Sequence, residues 1–182
     1  MKKIIITFSI ASILLFAACK DTEIKPENKP SNETELITTL IVELTDSQSN
    51  TKKHFVFRDL DGDGGDAPVN FDSIQLKSNS SYTCRMIVLD ESQSKSDTIS
   101  NEILEEQDDH LFVFTPDQAN VSIYITDKDN NNLPLGLMSK WYSKTTSNGF
   151  VTIALKHQPG IKNGSANIGE TDIEIKFPCV IQ

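Results

Sequence analysis

Leu36, Thr38, Leu40, Val42 and Leu44 recur at every second position, with Thr39, Glu43 and Thr45 among the residues between them. A period of two predicts a strand over 36–45, one face apolar and the other largely polar. The same reasoning predicts strands over 54–58, 73–77, 110–115, 121–126, 137–143, 149–156 and 172–177. Residues 81–89 follow the turn pair Asn79 and Ser80 and alternate less cleanly, which suits a central strand. Residues 100–106 predict one short helix. It opens Ser100, Asn101, Glu102, Ile103 at capping-box spacing, with Ile103 and Leu104 as its apolar patch. Short strands punctuated by Gly, Pro and Asn predict a mainly β chain. The expected fold is a single immunoglobulin-like or related β-sandwich with at most one short helix.

The first residues follow a different pattern. Lys2 and Lys3 precede a 15-residue apolar stretch over 4–18, and Ala17, Ala18 and Cys19 end it. That stretch falls short of the roughly 20 residues of a spanning helix. A basic start, an apolar core and small residues before a cut mark a secretory signal. The cysteine directly after it makes the segment resemble a bacterial lipoprotein signal. Residues 1–18 are then expected to be removed and lipid attached to Cys19, anchoring the protein to a membrane without spanning it. Residues 19–34 contain Lys20, Asp21, Glu23, Pro26, Asn28, Pro30 and Asn32 and little to bury, so they read as a flexible tether. Residues 35–182 are long enough for one domain with its own core.

Charge narrows the partners. The chain carries a formal charge of −9, and loss of Lys2 and Lys3 with the signal takes it to −11. Nucleic acid and anionic lipid surfaces both call for basic contacts, so neither is expected as a partner. Divalent cations and basic surfaces remain compatible. Outside the cytoplasm Cys84 and Cys179, two cysteines in strand-like surroundings, predict one disulfide.

The strongest local chemistry is Asp59, Asp61 and Asp63, with Gly65 and Asp66 following. Carboxylates at spacing two on a glycine-rich turn are similar to the front half of a calcium loop. Asp59, Asp61 and Asp63 would supply side-chain oxygens, Gly65 a carbonyl, and Asp66 would complete the shell around Ca2+. The likeness to an EF-hand ends there, because Asn70 stands at the twelfth position and the flanks read as strands. Asp127 and Asp129 before Asn130, Asn131 and Asn132 form a weaker acidic turn. Glu102, Glu105, Glu106, Asp108, Asp109 and His110 cluster, and with His54 and His157 they raise a transition-metal site, although no ligand-type spacing supports one. No serine sits in a Gly-x-Ser-x-Gly turn, and neither later cysteine has the setting of a reactive thiolate, so no enzyme activity is expected. Trp141 and Tyr142 with Lys140 and Lys144 suggest a sugar- or peptide-binding edge. Alternation places Trp141 with Ser139 and Ser143 on the buried face and Tyr142 on the other.

The charged stretch Lys20, Asp21, Thr22, Glu23 after Cys19 resembles the surface-export signal of Bacteroidetes lipoproteins. The segment from Phe57 through Asp66 to Pro68, the acidic stretch ending Asp108, Asp109, His110, and the terminal run from Glu170 to Pro178 are similar to small lipoproteins of that group. The resemblance implies an outer-membrane lipoprotein exposed at the cell surface, with the periplasmic face as the alternative. It carries over no catalytic residues. The expected function is a non-enzymatic, lipid-anchored module that binds a protein or glycan, with a calcium-ordered loop. The alternatives are a secreted carboxylate-dependent hydrolase and a purely structural envelope lipoprotein.

Overall fold

In the computed structural model of the chain, residues 36–62 and 65–182 are described. The signal at 1–18, the lipid site Cys19, the tether to residue 34, and Asp63 lie outside the described residues. Among the described residues the chain forms β1 (Thr39–Asp46), β2 (Lys52–Arg58), β3 (Asn70–Phe71), β4 (Ile74–Leu76), β5 (Ser81–Leu89), α1 (Ile99–Glu105), β6 (His110–Asp117), β7 (Val121–Ile125), β8 (Met138–Ser143), β9 (Ser147–His157) and β10 (Glu170–Ile181). Two packed sheets and a single short helix result. The larger sheet runs β3-β2-β1-β5-β8-β7 and the smaller β4-β10-β9-β6. Neighbours pair antiparallel except β10 with β4, which pair parallel. Among the described residues no helix is long and apolar enough to cross a membrane.

The two-residue period builds the core from both sides. Leu40, Val42 and Leu44 point inward from β1, and Tyr82, Cys84, Met86 and Val88 from β5. β5 does lie centrally, between β1 and β8, yet its alternation is clean in three dimensions. Across the gap the smaller sheet contributes Phe112, Val151, Ile153, Leu155, Phe177 and Cys179. Phe114 and Trp141 meet edge to face at 6.1 Å between the sheets, and Phe71 meets Phe177 at 5.7 Å. Trp141 is fully buried and its indole N–H donates to Ser139 Oγ at 2.9 Å, so its polar edge is satisfied within its own strand face.

Three details depart from the expected elements. β6 runs on through Pro116 to Asp117, which an edge strand permits because one side needs no ladder donor. β10 is longer than 172–177 and contains Pro178. The Pro178 carbonyl accepts from Ser73 Oγ, so its missing N–H faces the same side, just before β4 begins to pair at Cys179. The helix starts one residue early, at Ile99, and Ser100 is not its cap. Ser100 Oγ instead accepts from Val88 N–H at 2.9 Å and donates to Val88 C=O at 3.2 Å, closing the end of β5. Ile99 and Ile103 are buried, while Leu104 faces solvent.

Candidate functional site

The outer face of β7 and β8 carries an aromatic pair. Register sets Tyr124 opposite Lys140 and Ser122 opposite Tyr142, so the two tyrosines are diagonal neighbours on one face. Their rings meet nearly perpendicular, at 71°, with centroids 5.8 Å apart. Tyr124 is 60% exposed and Tyr142 43%. With Ser122, Lys140 and Lys144 they line a shallow depression of about 500 Å³. Strand parity produces this arrangement. On β8, Ser139, Trp141 and Ser143 turn into the core, which leaves Met138, Lys140 and Tyr142 outside. Tyr124, absent from the sequence reading, belongs with Tyr142 because it is aromatic at a solvent-side position of β7, a signal that parity alone contained.

A second, narrower depression of about 170 Å³ opens between the sheets, lined in part by Asp46, Lys53, Phe55, Lys77 and Tyr82. Its one carboxylate side chain, Asp46, is held by Lys77 at 2.9 Å.

The acidic turn at 59–66 brings some of its predicted ligands together. Asp59, directly after β2, is buried, its N–H donating to Thr38 C=O. Its Oδ1 is buried without a hydrogen-bond partner. Asp61 Oδ2 accepts the Asp66 N–H at 2.7 Å, closing the loop. Gly65 permits that closure, since a Cβ there would overlap the Asp61 carboxylate. Burial, then the hydrogen bond to Asp61 and its charge, push the Asp59 carboxyl above its ordinary value. The Asp66 N–H, then the hydrogen bond with Asp59, hold Asp61 below its own. The two carboxyls therefore titrate as a pair whose affinities for a proton are pushed apart. Asp66 serves this loop through its backbone N–H, and its side chain is exposed.

The second acidic turn has a different fate. Asp127 accepts the N–H groups of Gly136 and Met138, and Asp129 those of Asn131 and Leu133. The ammonium of Lys162 reaches Asp129 at 2.8 Å, and both side chains are buried. Burial opposes ionisation of Asp129, but the Lys162 hydrogen bond and the Leu133 N–H outweigh it and leave the carboxyl below its ordinary value. A lysine from elsewhere in the chain thus takes the place of a metal. The neighbouring acidic stretch is also used in tying loops: Asp108 accepts from Asn130, and Asp109 from Gly160 N–H.

The histidines separate. His54 is exposed on β2 and lies 2.9 Å from Glu43. His110 and His157 are paired directly across β6 and β9, and their rings stack with centroids 4.8 Å apart. Ligand-type atoms of Glu106, His110 and His157 all lie within 4.8 Å of one another. Burial holds His110 below its ordinary value, so its ring is neutral near pH 7.

The expected disulfide is not formed. Cys84 and Cys179 are free and buried, entering the core from opposite sheets, and Cys84 Sγ contacts Met86 Sδ at 3.9 Å. Burial pushes the Cys84 thiol up to about 12 and Cys179 to about 11, so both behave as small apolar side chains.

No protein-family model matches the chain, and neither a curated protein nor a solved structure is significantly similar to it.

Proposed function

We propose that this protein is a non-enzymatic binding module, held at the outer surface of the cell by lipid on Cys19, that presents the β7–β8 face to a glycan bearing carboxylate or sulfate groups. The observation that carries the reading is the exposed Tyr124–Tyr142 pair between Lys140 and Lys144. Exposed phenol rings offer flat apolar faces for the C–H surfaces of a sugar ring, with little side-chain entropy to lose. Their hydroxyls and the two ammonium groups supply directional contacts to hydroxyl and anionic groups. The chain is acidic overall, so capture of an anionic ligand rests on short-range contact with Lys140 and Lys144 rather than on long-range attraction. In this reading the two sheets are a sandwich of the immunoglobulin-like or a related type. The ligand lies on a sheet face rather than on the end loops. The tether at 19–34 lets the domain stand off the membrane, and a calcium ion on the Asp59–Asp66 turn orders one end of the sandwich.

The test is a panel of neutral and acidic oligosaccharides titrated against the full chain in detergent, with Tyr124→Ala and Tyr142→Ala beside it. Both side chains are exposed, so the fold should survive. Saturable, salt-sensitive binding of an acidic glycan that Tyr142→Ala weakens at least about tenfold supports the reading; a tenfold loss corresponds to about 1.4 kcal/mol. Absence of binding across the panel, or equal binding by the Tyr124→Ala/Tyr142→Ala double variant, overturns it.

A further inference from the structure

The end of the smaller sheet, where α1 gives way to β6, gathers ligand chemistry from three separate pieces of chain. Glu106 is the residue that ends α1. His110 is the first residue of β6 and His157 the last of β9, and the antiparallel register sets them directly opposite each other. Both stand on the core side of their strands, in phase with Phe112 on β6 and with Ile153 and Leu155 on β9. β10 flanks this end beside β9, its pairing shifted at a bulge between Thr171 and Ile173.

The hydrogen bonding selects a ligand nitrogen. His110 Nδ1 lies 3.1 Å from the Glu106 carbonyl oxygen, which can only accept, so Nδ1 carries the proton and Nε2 keeps its lone pair. Metal-bound histidines are commonly oriented in this way, by a backbone carbonyl on the far ring nitrogen. Tetrahedral zinc with bonds near 2.0–2.1 Å places its ligand atoms about 3.4 Å apart. The atoms of Glu106, His110 and His157 lie within 4.8 Å, a gap that small side-chain rotations close.

We propose that Glu106, His110 and His157 form a Zn2+ site that pins the end of α1 to β6 and β9. Two imidazoles with a carboxylate suit a borderline metal such as zinc and do not suit calcium, which takes six to eight oxygens. The site is structural in kind. It ties together the end of the sheet at which the long 158–169 connection leaves β9. It is independent of the glycan face, which lies on the other sheet.

The full chain, stripped with chelator and exchanged into chelator-free buffer, is titrated with ZnCl2 by calorimetry and followed by thermal unfolding. One equivalent should bind. At zinc near one hundred times Kd the Tm should rise by about 5–10 °C. Co2+ in place of zinc should give the visible bands of a tetrahedral site. His157→Gln and Glu106→Gln should each weaken zinc by about tenfold or more and remove the cobalt bands, and millimolar CaCl2 should not displace Co2+ from the site. If His157→Gln fails to fold, Glu106→Gln carries the comparison, since Glu106 is only half-buried. Absence of saturable zinc binding and cobalt bands overturns the proposal, and so does equal zinc affinity in wild type and the folded variants.

Discussion

Two acidic turns in this protein start from similar sequences and end in opposite electrostatic states. In the turn after β7, Asp129 is buried, accepts two backbone N–H groups and meets the buried ammonium of Lys162. In the turn after β2, Asp59 is buried against a second carboxyl, Asp61. One turn is neutralised by a cation from its own chain. The other sets two carboxyls side by side, which raises the Asp59 carboxyl above its ordinary value. Carboxylate density in the sequence is the same kind of signal in both places, and it does not say where the balancing charge comes from. That charge decides whether a turn is complete or receptive to an ion.

The largest test of this contrast is Lys162→Met. It leaves Asp129 buried without its countercharge, and breaking a buried pair from one side costs about 3–5 kcal/mol. Urea unfolding should show that loss, and Asp129→Asn added to Lys162→Met should recover part of it. A loss below about 1 kcal/mol would mean that the pair does not hold the turn together. A smaller effect is expected at the other turn. Millimolar calcium should raise the Tm of the wild type by a few degrees and leave Asp61→Asn unmoved, while the two proteins melt alike in chelator. Calcium-independent melting of the wild type would reduce this turn to a self-contained carboxyl pair.

The smallest effect is in acid. Asp129 has a folded-state pKa below its unfolded value of about 3.9. Its contribution is therefore complete above that value and is lost as pH falls through it toward the lower folded pKa. Asp129→Asn should be less stable than wild type at pH 7 yet lose less stability between pH 5 and pH 3. Parallel acid limbs for the two proteins would show that Asp129 does not carry this dependence.

The strands were largely legible because burial on one face imposes a two-residue period, and β1 and β8 wrote it plainly. Leu40, Val42 and Leu44 went inside, as did Trp141, and Tyr142 faced solvent. Ser100 was misleading. A hydroxyl at a helix start is an excellent cap in isolation, but the nearby end of β5 offered both an N–H and a C=O of Val88. The cysteines misled for a related reason: composition and compartment argue for pairing, while the structure seats each thiol separately in its own sheet.

The sequence by itself determined the mainly β class, the parity of β1 and β8, the acidic balance and the existence of the 59–66 turn. These follow from local spacing and from composition, which chain geometry converts directly into faces and charge. Only the tertiary structure decided that His157 lies across from His110 and not near His54, that Lys162 answers Asp129, and that Tyr124 stands beside Tyr142. Each of these depends on strand register or on the return of a distant loop. Pairing energies along a ladder are set by many residues together, so no short stretch of sequence contains them.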